Sequence, residues 1–205
     1  MTKFCPINLC NTTHKLISKI LANRFKAILP SIISENQSAF TPDCLNTDNV
    51  LVAFEFMHYL NHKNDGKENY TLIKLDMTKA FDKVEWNFIK GAMEKLGFAN
   101  KWVNLIMHCV SFVSYSVIIN GETLGNTIPS RGIRQGDPPS SCLFLLCAED
   151  LFALIHEAAQ NQQINGIFIC RGCPRIIHLF FADESLLFYK AKDQECQNLV
   201  NTLNK

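Results

Sequence analysis

Two short apolar runs in this chain each end in acid, and that pairing constrains the fold more than any other feature. The first is Leu72-Ile73-Lys74-Leu75-Asp76, which continues through Met77-Thr78-Lys79-Ala80-Phe81-Asp82. The second is Ile177-His178-Leu179-Phe180-Phe181-Ala182-Asp183-Glu184, which continues through Ser185-Leu186-Leu187-Phe188. Short apolar runs rich in β-branched and aromatic residues read as strands. Carboxylates at the ends of neighbouring strands can hold two divalent cations roughly 4 Å apart, which stabilises both the attacking and the leaving oxygen of a phosphoryl transfer. Asp76 and Asp183 are therefore expected on adjacent strands. Between the runs lies Arg131-Gly132-Ile133-Arg134-Gln135-Gly136-Asp137-Pro138, a basic, glycine-containing turn suited to a negatively charged substrate.

Length and charge narrow the reading. A chain of 205 residues can bury a real core as one domain, with room for two lobes. With 47% hydrophobic and 19% charged residues it is globular rather than disordered. A net charge of +1 argues against a strongly basic, non-specific nucleic-acid binder. Local basic patches remain, at Lys15, Lys19, Arg24 and Lys26 and at Arg131 and Arg134. The opening Met1-Thr2-Lys3-Phe4-Cys5-Pro6 lacks the apolar core of a signal peptide, so an intracellular chain with free thiols is expected. Cys170-Arg171-Gly172-Cys173 has the spacing of a zinc knuckle or redox pair, but no second pair completes a ligand set, and it reads as a turn. No apolar run reaches the roughly 18 residues that span a bilayer.

The pattern elsewhere predicts mostly helices. Residues 14–29 carry Leu16, Ile17, Ile20, Leu21, Phe25, Ile28 and Leu29 at helical spacing, with Thr12 or Thr13 as cap and Pro30 as stop. A second helix is expected from Thr47 to Asn61, its apolar stripe formed by Val50, Leu51, Phe54 and Met57, with Phe56 off the stripe. A polar loop then leads into a strand, Tyr70–Leu75. Trp86, Ile89, Met93 and Leu96 mark one further helix, and Trp102, Leu105, Ile106 and Cys109 another. Ser114–Ile119 and Glu122–Leu124 flank Asn120-Gly121 as a hairpin with a type I′ turn. Pro139 to Ala159 reads as a long apolar helix, Gly166–Cys170, Ile176–Phe181 and Leu186–Tyr189 as strands, and Gln194–Leu203 as a final helix.

Three stretches, Leu75 to Trp86, Arg131 to Ser141 and Phe181 to Glu184, resemble motifs A, B and C of reverse transcriptases, most of all those of plant non-LTR (LINE-type) retrotransposons. The likeness extends to Pro6-Ile7-Asn8-Leu9-Cys10-Asn11, Gln37-Ser38-Ala39-Phe40 and Thr47-Asp48-Asn49-Val50-Leu51, in family order. The resemblance implies an α+β fold: a right-hand polymerase palm, an antiparallel sheet packed on helices, with partial helical fingers and no thumb. It places the fingers at 1–68 and the palm at 69–205. It implies an RNA-directed DNA polymerase whose partners are an RNA template, a DNA primer and dNTPs. Its cofactors would be two Mg2+ ions, with Mn2+ as a substitute. Asp76, Asp183 and Glu184 would be catalytic, holding metal together with the backbone carbonyl of Met77. Met77, Thr78, Phe81, Gln135 and Gly136 would bind the nucleotide, with Phe81 as the aromatic gate against a ribose 2′ hydroxyl. Arg131 and Arg134 would contact nucleic acid. Asp82 reads as a helix-start residue.

This chain also departs from that pattern. Glu184 stands where an aspartate is usual, Cys5 and Cys44 where arginines are usual, Pro139 for leucine and Ser141 for proline. Each lost guanidinium removes a bidentate phosphate partner. The picture is a truncated, mutated polymerase whose synthesis is impaired. Its rivals are a non-catalytic retrotransposon remnant that binds RNA or protein, and a two-metal, nuclease-like hydrolase. The Gln135-Gly136 turn and Phe81 argue against the last.

Overall fold

The computed structural model describes residues 8–34, 37–39, 46–62, 69–168 and 172–204. Cys5, Cys44, Phe40, Cys170 and Arg171 fall outside them. Helix α1 spans Thr12–Ile28 and runs into a 3-10 turn at Leu29–Ser31, where Pro30 sits. Asn11 caps it in place of Thr12 or Thr13: its side-chain oxygen accepts the His14 N–H at 2.7 Å. The order continues as α2 (Asn46–His62), β1 (Tyr70–Asp76), α3 (Ala80–Lys83), α4 (Trp86–Lys95), α5 (Asn100–Ser111), β2 (Tyr115–Ile119) and β3 (Glu122–Thr127). It closes with α6 (Ser140–Gln160), β4 (His178–Phe181), β5 (Glu184–Lys190) and α7 (Asp193–Leu203). The arrangement is α+β with antiparallel sheets, as expected. None of the described helices is long and apolar enough to cross a membrane.

The chain forms two compact units, Met1–Ile32 with Thr78–Cys147 and Ile33–Met77 with Ala148–Lys205. In the first, Phe25 of α1 is fully buried, its ring 5.8 Å from Phe98 and 5.4 Å, edge-on, from Trp102 of α5. The β2–β3 hairpin turns through Asn120 (φ 53) and Gly121 (φ 87), the two left-handed residues that a type I′ turn requires.

The second unit is built on a three-stranded sheet of order β1-β5-β4. β1 and β5 pair from Tyr70↔Lys190 to Asp76↔Glu184, and β4 joins β5 from His178↔Leu187 to Phe181↔Glu184. Side chains alternate across a strand, so this register sorts them into two faces. Ile73, Leu75, Phe180, Leu187 and Tyr189 pack with Ile155 and Ala158 of α6 and Leu199 of α7. Tyr70, Leu72, Leu179, Leu186 and Phe188 pack with Phe56 and Leu60 of α2.

The face that α2 buries corrects the sequence reading. Phe54, on the expected stripe, is 68% exposed, and Val50, Leu51 and Met57 are exposed with it. Phe56, off the stripe, is fully buried, its ring 5.0 Å from Phe188 and perpendicular to it. Apolar residues lie all round this helix, so the sheet it meets chooses the face, and a T-shaped aromatic pair decides the choice. Free thiols throughout is also corrected, because Cys173 is disulfide-bonded.

His178 is buried beside the rings of Phe152 and Phe180, each 4.8 Å away. Burial, and then the neighbouring His156, lower its pKa from 6.5 to about 4. Between those values the unfolded chain binds the extra proton and the folded chain does not, so stability falls as pH drops from 6.5 towards 4. The expected loss is up to about 3 kcal/mol. Glu149, raised by burial, pulls the opposite way. A His178→Phe variant compared with the unmodified chain in urea melts across this range isolates the histidine. Parallel pH profiles would remove His178 from the account.

Candidate active site

The second unit gathers the acidic residues. β1 ends at Asp76, directly opposite Glu184, the first residue of β5. Ala182 and Asp183 form the turn between β4 and β5, with Ala182 in the left-handed region at φ 52. The Met77 N–H donates to the Asp183 carbonyl at 3.3 Å, which ties the end of β1 to that turn. Asp76 and Asp183 thus lie at neighbouring strand ends, Asp76 exposed and Asp183 half-buried.

Glu184 has another partner. Directly paired residues in an antiparallel ladder share a face, and so do residues two apart on one strand. Asp76, Glu184 and Lys74 are therefore on one face. The Lys74 ammonium donates to Glu184 Oε1 at 2.7 Å. That hydrogen bond and then the Glu184 charge raise the lysine pKa; desolvation opposes them, and the charge of Asp76 adds the smallest contribution upward. Lys74 was not anticipated as part of the site. Its signal in the sequence is a basic residue two positions before the strand's terminal acid, and reading it requires the strand register.

Asp76 and Asp183 stand at neighbouring strand ends, and carboxylate oxygens are the donors that suit Mg2+ or Mn2+. The three acids do not all converge, because Glu184 turns to Lys74. Among the described residues, the one set of three His, Cys, Asp or Glu side chains with all ligand atoms within 4.8 Å of one another is Cys10, His14 and Asp137, in the first unit. There the Arg134 guanidinium lies 3.5 Å from Asp137 Oδ2 and 3.7 Å from Cys10 Sγ, and it supplies the positive charge a cation would bring.

The first unit builds the turn that carries Gln135 and Gly136. The Gly132 N–H donates to the Val84 carbonyl at 2.8 Å and the Ile133 N–H to the Phe81 carbonyl at 2.9 Å. Trp86 Nε1 donates to the Gly132 carbonyl at 2.7 Å. Gly132 has φ 89, and a Cβ there would stand 3.0 Å from the Asp82 carbonyl oxygen, so position 132 takes only glycine without strain. Phe81 stacks on Phe144, ring centroids 5.0 Å apart and planes 9° from parallel. Gln135 is half-buried, and its carbonyl accepts the Asn8 N–H at 3.2 Å. Gly136 is left-handed at φ 92, and Thr78 is exposed.

The two arginines part company. Arg131 is more than half exposed and pairs with Glu85 at 3.2 Å, leaving it open to a solvent-borne partner. Arg134, expected at nucleic acid, is instead turned inward. Its side chain is 11% exposed, Nη2 donates to the Cys109 carbonyl at 2.6 Å, and Nε faces Asp137. Asp137 is buried and also bonded to His14 Nε2 at 2.9 Å. A buried carboxylate needs such partners, and Arg134 and His14 provide them.

Known proteins bear on this geometry. A family model described as reverse transcriptase (RNA-dependent DNA polymerase) matches residues 1–205. The chain is 25% identical over 199 residues to the transposon TX1 uncharacterized 149 kDa protein of Xenopus laevis, covering 95% of this chain and 15% of that protein. It is 48% identical over 68 residues to an uncharacterized mitochondrial protein of Arabidopsis thaliana, covering 33% of this chain and 56% of that one. It is 27% identical over 184 residues to a retrovirus-related Pol polyprotein from the type-1 retrotransposable element R2 of Popillia japonica, covering 89% and 24%. The chain thus spans between 15% and 56% of the length of these relatives. Among solved structures, apo telomerase from Candida tropicalis, truncated from its C-terminal domain, superposes with a TM-score of 0.58 at 12% identity, covering 95% of this chain and 36% of that one. Telomerase from Candida albicans with the TWJ fragment of telomeric RNA gives 0.59 at 12%, covering 93% and 32%. At that identity the likeness is one of fold.

Proposed function

This chain belongs to the reverse transcriptase (RNA-dependent DNA polymerase) family, and from that premise we propose that it is the polymerase core of a non-LTR retrotransposon, adding deoxynucleotides to a primer 3′ hydroxyl on an RNA template. The observation that carries the proposal is the juxtaposition of Asp76 and Asp183 at adjacent strand ends, tied by the Met77–Asp183 backbone bond. The 48% identity to the Arabidopsis protein supports a plant-type element.

Asp76, Asp183 and the Met77 carbonyl would hold Mg2+ or Mn2+, and Glu184 would join them on exchanging Lys74 for the cation. When bound, such ions lower the cost of the charge that develops on the attacking and leaving oxygens. The chain's own residues do the positioning. Gln135 and Gly136 take the nucleotide, where glycine permits close backbone approach and glutamine hydrogen-bonds base or sugar. Thr78 and the Met77 backbone stand at the triphosphate, Phe81 excludes a 2′ hydroxyl, and Arg131 meets the nucleic-acid backbone. Arg134 acts through the turn rather than on the substrate. Fingers through residue 68 and palm from residue 69 is a functional division. The compact units cut the chain elsewhere, at Ile32, Met77 and Cys147.

A second reading, a remnant that binds RNA or protein without catalysis, is favoured by the Glu184–Lys74 pair, which occupies the carboxylate at a position where the family uses aspartate. Primer extension on an RNA template with magnesium and dNTPs separates the two. Template-dependent products abolished by Asp183→Asn are expected. RNA binding with no product, even at high protein concentration, would establish the remnant.

A further inference from the structure

We propose that Gln37, with Ser38 and Asn49, is a positioning residue that fixes the turn carrying Asp183; this rests on reading Asp183 as a metal ligand. Gln37 and Ser38 are buried, yet both are polar. Burial of such side chains is costly unless they bond, and their bonds go to the backbone of the β4–β5 hairpin. Gln37 forms a parallel bridge with Phe180 of β4, and the Ser38 N–H donates to the Phe180 carbonyl at 3.1 Å. The Ser38 hydroxyl donates to the same carbonyl at 3.3 Å, and Asn49 Nδ2 donates to it at 3.1 Å and to Ser38 Oγ at 2.7 Å.

The bond that matters most is one residue from the acid. Gln37 Oε1 accepts the Ala182 N–H at 3.2 Å and the Ala39 N–H at 3.1 Å. Ala182 is left-handed, a conformation that side chains other than glycine rarely adopt, and it is 8% exposed. Its N–H points to a glutamine oxygen rather than to water, so Gln37 selects the turn geometry that aims Asp183. Metal and catalytic constellations tolerate only about 0.5 Å of displacement, so a loosened turn is felt as lost cation affinity.

The test uses the full chain and three variants, Gln37→Leu, Gln37→Glu and Asp76→Asn. Two readouts are amide hydrogen exchange at Ala182, resolved by NMR, and Mn2+ affinity from the free-ion EPR signal. In the unmodified chain the Ala182 amide should be protected. Gln37→Leu should speed its exchange by about tenfold while the Leu187 amide in mid-β5 stays unchanged, and should weaken Mn2+ binding by about three- to tenfold, the worth of one hydrogen bond. Gln37→Glu keeps the acceptor and should restore Ala182 protection. The proposal is overturned by an unprotected Ala182 amide in the unmodified chain, by protection that survives Gln37→Leu, or by fast exchange with Mn2+ affinity unchanged. If Gln37→Leu does not fold, the unmodified chain and Gln37→Glu still decide: an unprotected amide in either overturns it. Equal Mn2+ affinity in Asp76→Asn and the unmodified chain would sink the metal-site reading instead, and that result is visible whatever Ala182 does.

Discussion

Asparagine in place of Asp76 is expected to weaken Mn2+ binding by about a hundredfold or more and to abolish templated nucleotide addition, with the unfolding transition unchanged. The magnitude follows from what the substitution removes. Loss of an outer partner of a metal ligand already costs ten- to a hundredfold in affinity or activity, and Asp76 is proposed as a ligand itself. Stability should hold because Asp76 is exposed at the end of β1, where a polar amide of equal size costs little. Glu184→Gln is the informative contrast. Its carboxylate must give up Lys74 to reach the cation, so the net gain from its joining is small and its removal should change affinity only a few-fold. Isothermal titration of both variants beside thermal melts decides the matter. Comparable losses for Asp76→Asn and Glu184→Gln would mean that the acids act as one undivided cluster and that Lys74 does not set them apart.

Truncating Phe188 to alanine should destabilise the protein by about 3–5 kcal/mol, a large part of the 5–15 kcal/mol that holds a typical domain folded. Phe188 is fully buried in the central strand β5, perpendicular to Phe56, with Leu72, Leu179 and Leu186 around them. Its removal leaves a cavity between two elements, α2 and the sheet, that are held apart by other side chains and cannot close on it. Phe54→Ala, on the same helix but 68% exposed, should cost under about 0.5 kcal/mol. Urea denaturation of the two variants measures both. Similar losses would mean that α2 buries the face the hydrophobic stripe named.

That contrast shows where the sequence can be read and where it cannot. β1 and β5 were legible because both faces of their sheet are covered, which makes each strand an apolar run with polar bounds and an acid at its end. A shared cation led to the expectation that β1 lies beside the strand ending before Asp183, which is β4, but the sheet places β5 between them, and the acids meet through the turn that starts β5. α2 was not, because apolar residues surround it and only the sheet says which side turns inward. α3 starts from a left-handed Lys79, which no local pattern announces. Arg134 read as a phosphate contact because position in a basic turn shows charge but not direction. Its partners, Cys109 and Asp137, come together only in the fold. Lys74 escaped for the same reason. Alternation along β1 puts it on the Asp76 face, but its meeting with Glu184 depends on a register between segments far apart in the chain.

The central claim is that Asp76 and Asp183 share a divalent cation, and anomalous diffraction from crystals grown with Mn2+ tests it most directly. The account predicts manganese within about 2.2 Å of carboxylate oxygens of both Asp76 and Asp183, the distance of direct oxygen coordination. Manganese bound instead at Cys10, His14 and Asp137, or at neither place, would contradict it.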